Sequence, residues 1–346
     1  MKKILALAVC VLIMVPFFAG CGSSKTTLYV YNVGDYIDES VIELFEEEHP
    51  DIDVKYETYY TNEDMYSKVK AGRTAYDVVF PSDYMVERMI EEDMLLPIDF
   101  KNVPNYKNIG EEFKGLAYDS EAKYSVPYMW GTMGILYNKK MVDAKDVESW
   151  SAMFNSKYEG EIFMLDSVRD MVSITLKSIG YSMNSDNDKE LKAAEKALTK
   201  QKPLVKAYCG DEVKDKMIAN EGAMTIAWSG DAFYCMDLNE DLAYSVPKEG
   251  SNLWFDSMVI PKTSKNKEGA ELFIDFMCRP EIAKMNAEYI GYSTANVAGR
   301  DLLADEIKND ELRYPDITKL ENMEIFTYDA ELAKKQMDLW NRVKSK

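Results

Sequence analysis

The chain has 346 residues, 60 of them Asp or Glu against 41 Lys or Arg, for a formal charge of −19 with a single histidine. Such acidity argues against nucleic acid as a partner and favours cationic ligands through long-range attraction. The length suits one large domain or two linked lobes with ample core, and the five cysteines make neither a disulfide framework nor a metal motif.

In chain order, the first twenty residues read as a targeting segment and not as part of the fold. Lys2 and Lys3 precede an apolar run over 4–19 that is short for a membrane span. It ends in Phe18-Ala19-Gly20-Cys21 and resembles a bacterial lipoprotein signal, although Phe18 stands where such signals usually carry leucine. The expectation is removal of 1–20, lipidation of Cys21 and a short tether over 21–25 that holds an exported chain to the outer face of a membrane. An ordinary secretory signal would leave it free and periplasmic. Losing Lys2 and Lys3 takes the charge from −19 to −21.

Residues 28–31 read as a strand, followed by a helix over 41–48 with Ser40 as N-cap and Val41, Leu44 and Phe45 on one face. Ile52, Val54 and Tyr56 alternate as a second strand; Asn62 caps a helix that carries Met65 and Val69 and closes at Gly72. The apolar run 76–80 is a strand buried on both faces, and Pro81-Ser82 opens a helix through Glu92. This alternation predicts a mostly parallel sheet with right-handed crossovers. Ligands of such sheets sit beyond the carboxyl ends of the strands, where 32–36, 59–62 and 82–84 all fall.

A β-rich passage over 124–138, with Gly131 and Gly134, carries the chain towards a second lobe. There 150–158 reads as helical, 161–165 as a strand, and Asp166-Ser167 as the cap of a helix to about 179. Polar helices over 188–198 and 213–219 follow, then a buried strand over 223–228 that runs into Ser229-Gly230-Asp231 and another helix. Strands at 244–246 and 253–260 lead back to helices over 268–278 and 281–290, a turn at Gly291-Tyr292-Ser293, and a helical remainder broken at Pro315.

Three acids, Asp170, Asp231 and Asp256, fall just after predicted strands or at helix starts, and Tyr36, Tyr84, Trp228, Trp254 and Tyr292 hold similar edge positions. Within 252–260 (NLWFDSMVI), strand alternation puts Trp254 and Asp256 on one face with Met258. An indole face attracts a cation, and a carboxylate supplies the opposite charge and an acceptor for its N–H groups. The competing reading makes Trp254 core and Asp256 a strand-end cap. Catalytic alternatives are thin: His49 alone supports no Ser-His or Cys-His pairing and no histidine metal site, and no phosphate loop of the required spacing appears. No metal and no cofactor is expected. Of Cys209, Cys235 and Cys278 at most one pair can form, and buried free thiols are the expectation.

The segments YVYNVGDYID, DVVFPSDYMVERMI, YSVPYMWGTMGILYN, AWSGDAF, VPKEGSNLWFDSMVIPK and EYIGYSTAN together resemble the spermidine/putrescine-binding proteins of ABC transporters. The resemblance covers essentially the whole mature chain in order. It implies an α/β, two-lobed periplasmic-binding-protein-like fold of type II, each lobe a mostly parallel sheet flanked by helices, with the ligand cleft between lobes. The implied lobes are 26–133 with 257–300 and 134–256 with 301–346. It further implies a monomeric, non-enzymatic protein that closes on a polyamine and delivers it to an ABC permease. The family's ligand positions fall on Tyr36, Ser82, Tyr84, Asp170, Trp228, Asp231, Trp254, Asp256 and Tyr292. Asp231 matches the acid of the putrescine-preferring branch. Val33 replaces a tryptophan of the family's clamp, Ser167 stands where a second acid can occur, and a further contact is expected around 324–326. A binding protein for another solute, a ligand-presenting sensory lipoprotein and an exported enzyme are the alternatives.

Overall fold

The computed structural model describes residues 25–345, so the leader and Cys21 lie outside the described residues. Ten strands form one mixed sheet: β1 (Thr26–Val33), β2 (Ile52–Tyr59), β3 (Val78–Val79), β4 (Ser125–Asn138), β5 (Ile162–Leu165), β6 (Val205–Cys209), β7 (Met224–Trp228), β8 (Leu242–Ser245), β9 (Leu253–Val259) and β10 (Ser293–Thr294). Their main order is β2-β1-β3-β9-β4-β7-β5-β6, with β8 and β10 also on β4. At one end β1 is parallel to β2 and β3; at the other β5 is parallel to β6 and β7. Between them β9 and β4 run antiparallel to each other and to their outer neighbours. Two parallel α/β units are thus joined through an antiparallel pair.

β4 is the connecting element. All of its 14 residues are buried. Its first part pairs with β9 and its last part with β7 and β8, so one unbroken strand belongs to both units. Two separate apolar cores follow. The first contains Leu28, Val30, Val78, Trp130, Phe255 and Phe273; the second contains Met133, Trp150, Phe163, Ile226 and Phe233. Leu303 and Tyr314, on the stretch expected in the second lobe, pack in the first core, and the second core resumes with Phe326 and the helix Ala330–Ser345. The chain therefore passes between the cores on β4, again before β9, and a third time near Phe326.

Several local expectations change at helix starts. Asp38, not Ser40, caps the helix Glu39–Glu48, and Thr61, not Asn62, caps Asn62–Ala71 by accepting the Asp64 N–H at 3.1 Å. Asn62 is drawn away because its amide bonds both the hydroxyl and the N–H of Ser82. Gly72 closes its helix in the left-handed region (φ 62°), where a side chain would be strained. The stretch over 150–158 forms short 3-10 turns, and the C-terminal remainder is mostly irregular before Ala330. Cys209, Cys235 and Cys278 are buried free thiols. Among the described residues no helix is long and apolar enough to cross a membrane.

Candidate ligand-binding site

Asp256 sits at the centre of the sheet on β9, opposite Met129 of β4, and its backbone bridges to Ser82 at the start of the helix Asp83–Glu91. Its carboxylate is buried and accepts the Tyr36 hydroxyl at 2.6 Å. The Ser82 hydroxyl, which accepts the Asn62 amide N–H at 3.0 Å, lies beside Asp256 and leaves its helix end uncapped. Among the described residues no Lys, Arg or His forms an ion pair with Asp256. Burial pushes its pKa up, against the Ser82 and Tyr36 hydrogen bonds that pull it down. Beside it Asp83 holds β9 to the helix by accepting the N–H of Phe255 at 3.0 Å and of Tyr84 at 2.6 Å. Burial pushes Asp83 up to about 8 despite these two bonds, and the charge of Asp256 adds to the rise.

Three rings surround the Asp256 end. Tyr36 meets Tyr292 edge to face at 5.5 Å, and Tyr292 lies 5.3 Å from Trp254. Trp254 is buried, with its indole N–H 3.4 Å from the Thr132 carbonyl. This close fit needs Gly131: a Cβ there would stand 2.6 Å from the indole and 2.4 Å from the Ser229 hydroxyl. Trp254 is thus packed, as the core reading has it, and its ring lies in the same cluster as Tyr292 and Asp256.

The second unit reaches this cluster through Asp231. It lies in the first turn of the helix Ser229–Leu238, where the helix dipole favours negative charge, and accepts the Tyr292 hydroxyl at 3.0 Å. Gly230 presses on the same ring, with its missing Cβ 1.3 Å from Tyr292 Cδ1. Trp228 precedes this helix as its N-cap residue and packs against both cores. Asp231 also pairs with Lys214 at 3.4 Å, beside a small pocket lined by both and by Trp228. Burial raises the pKa of Asp231, opposed by Lys214 and the Tyr292 hydroxyl.

Asp170 and Tyr84 form a second group. Asp170 is in the first turn of the helix Val168–Ser178, and Ser167, the expected capping residue, spends its hydroxyl on the Asp170 carboxylate at 2.5 Å. Burial raises the Asp170 pKa, with Ser167 and Arg169 pulling against it. Arg169 lies over the Tyr84 ring at 3.4 Å and within 3.9 Å of Glu63, so this ring face is already covered by a guanidinium of the other unit. Val33 ends β1 opposite Tyr59 and packs on the first core.

The stretch 324–326, where a further contact is expected, is tied to both units. Glu324 bridges Asn252 through its backbone, while its carboxylate turns to Lys177 at 2.6 Å and to Ser182 at 2.5 Å. Phe326 instead lies 5.7 Å from Arg169. Lys214, Arg169 and Gly230 were not singled out from the sequence as parts of the site. Arg169 and Gly230 directly precede Asp170 and Asp231, which is their one signal in the sequence; Lys214 has none.

All three acids are raised by burial, so protons compete with any cation for them. A bound ammonium would lower those pKa values again, so binding should release protons, and affinity should fall on acidification starting above the ordinary carboxylate pKa of about 4. Calorimetry of a bound cation near the acid limb, in buffers of different ionisation heat, measures this release. A pH-independent affinity with no proton release would contradict it.

Comparison with known proteins follows the same lines. Residues 40–314 match the family described as bacterial extracellular solute-binding protein. The spermidine/putrescine-binding periplasmic protein of Escherichia coli (strain K12) is 38% identical over 307 residues, 88% of each chain. The spermidine/putrescine ABC transporter substrate-binding protein PotD of Streptococcus pneumoniae, solved with calcium and HEPES, superposes with a TM-score of 0.83 at 42% identity, over 93% of this chain and 99% of that one. The TpPotD lipoprotein of Treponema pallidum gives a TM-score of 0.82 at 27% identity, over 93% and 100%.

Proposed function

The chain belongs to the family of bacterial extracellular solute-binding proteins, and from that premise we propose that it captures a polyamine between its two units and hands it to an ABC permease. The observation that carries this reading is Asp256: a buried carboxylate, without a cation partner among the described residues, beside the rings of Tyr36, Trp254 and Tyr292. A carboxylate in that setting is costly unless a ligand ammonium completes it. Ring faces then cover the methylene chain and add cation–π attraction of about 0.5–2 kcal/mol each. Tyr36, Ser82, Trp254, Asp256 and Tyr292 hold one end, Asp231 and Trp228 close over it, and Asp170 with Tyr84 bounds the other group. The lobes that close are the two cores, hinged on β4, on the chain that leads into β9 and on the crossing near Phe326.

Anchoring belongs to the same proposal. Cys21, behind Phe18-Ala19-Gly20, is the lipidation site, and the mature protein acts as a monomer on the outer face of the membrane without catalysing a reaction. The polyamine sequence relatives support the ligand class, since the Escherichia coli protein is named for spermidine and putrescine. Titration calorimetry with putrescine, spermidine, spermine and a neutral sugar tests it. Heat and a rise in melting temperature are expected for at least one amine and not for the sugar. Absence of both for every amine, or binding of the sugar alone, would sink the reading.

A further inference from the structure

The three acids of the cleft are not equivalent in charge. Asp256 has hydroxyl partners only, Asp170 has a hydroxyl partner with Arg169 beside it, and Asp231 is in direct contact with an ammonium of the chain itself. That ammonium is held deliberately close. Lys214 rides on the helix Val213–Ile218, which packs against the helix that carries Asp231, and the buried Cys235 thiol of the latter is aimed at the Lys214 carbonyl. Lys214, Asp231 and Trp228 line one small pocket on the second unit's side of Tyr292, and 31% of the Lys214 side chain remains exposed. Burial alone would lower its pKa, but Asp231 and Asp211 outweigh that and keep it charged.

We propose that Lys214 is a specificity-determining residue whose ammonium neutralises Asp231 beside the Tyr292 ring as a built-in substitute for one ligand ammonium, so that the site favours a diamine over a triamine. A diamine meets Asp256 and Asp170 with its two charges and leaves the Lys214–Asp231 pair intact. A third ammonium brought to Asp231 faces the like charge of Lys214, and displacing that side chain strands it in a half-buried position. The assignment rests on the polyamine reading above and goes beyond it by naming which amine the cleft selects and by what charge.

The experiment is calorimetry of wild type, Lys214→Met, Lys214→Gln and Lys214→Arg with putrescine and spermidine at two salt concentrations. Methionine keeps the length of the apolar stem without the charge, glutamine keeps a polar head, and arginine keeps the charge. Wild type should bind putrescine more tightly than spermidine. In the Met and Gln variants the spermidine-to-putrescine affinity ratio should rise by roughly tenfold, the equivalent of about 1.4 kcal/mol. The Arg variant should keep the wild-type ratio. Should the Met variant not fold, the Gln variant carries the comparison, and the wild-type preference stands as a test by itself. A wild type that prefers spermidine, or a ratio unmoved in the neutral variants, or a ratio moved equally by arginine, overturns the role of Lys214 while leaving polyamine binding in place. A wild type that binds neither amine overturns the polyamine reading itself, and this assignment with it.

Discussion

Gly230→Ala should lose ligand affinity by about a hundredfold, equivalent to about 2.8 kcal/mol, while both cores stay folded. Gly230 opens no turn that needs a glycine conformation; it is required because the face of the Tyr292 ring fills the space of its side chain. An ideal Cβ there lies 1.3 Å from Tyr292 Cδ1 and 1.7 Å from Cε1. A methyl group cannot share that space, so one of two things must move. Either the units stay apart, or the Tyr292 ring swings out and abandons its hydrogen bond to Asp231 and its contacts with Tyr36 and Trp254. Both outcomes remove an aromatic wall from the cleft, and overpacking of a fitted contact costs about 1–3 kcal/mol before any lost ring–cation attraction. Because closure is a population shift, the penalty appears in full in the apparent affinity. Small-angle scattering should show that saturating amine no longer shrinks the radius of gyration, and the melting temperature without ligand should stay near that of wild type. Normal compaction with normal affinity would show that the units do not meet at Gly230 in the ligand-bound state.

Asp256→Asn should lose about a hundredfold in affinity as well, or about 2.8 kcal/mol, through a different cause. The Asn carbonyl can still accept the Tyr36 hydroxyl, so the anchor that holds Tyr36 to β9 persists and the fold survives. What disappears is the charge that completes an ammonium. The free protein should even gain stability near neutral pH. Asp256 has its pKa raised by burial, so the folded state binds a proton more readily than the unfolded chain does, and stability is lost as pH rises through the raised pKa. Asn removes that loss. A thermal melt of the ligand-free variant therefore separates the two roles: tighter folding with weaker binding is expected. Unchanged affinity would return Asp256 to a purely structural part.

The two substitutions act on opposite sides of the cleft, and neither partner relation is local. Tyr36 and Asp256 are 220 positions apart, and Asp231 and Tyr292 are 61 apart. Strand and helix alternation, the αL stop at Gly72, the buried run before Pro81 and the β-rich character of 124–138 were legible because each follows from periodicity and end chemistry within a few residues, whereas the complete burial of that strand was not. The positions of Asp170 and Asp231 were legible for the same reason, since each lies in the first turn of a helix that follows a strand, whereas Asp256 lies inside the antiparallel strand β9 at the centre of the sheet. Helix caps were not, because a capping side chain has rivals that the sequence does not display. Asn62 bonds Ser82 and Ser167 bonds Asp170, so Thr61 takes over one cap and the other helix has no side-chain cap.

By itself, then, the sequence determined the class of fold, the acids at the starts of the helices that carry Asp170 and Asp231, and the acidity that suits a cation. Tertiary structure alone decided which acid is left without a cation and which is not. Lys214 reaches Asp231 and Arg169 covers Tyr84, whereas no chain cation reaches Asp256 among the described residues. It also decided that Glu324 is consumed by Lys177 and that two glycines, Gly131 and Gly230, are there for neighbouring rings. The physical reason is common to all of these. Charge balance and close packing depend on distances between side chains from separate passes of the chain through the two cores, and those distances are set by how β4 and β9 join the units, not by the spacing of residues along the chain.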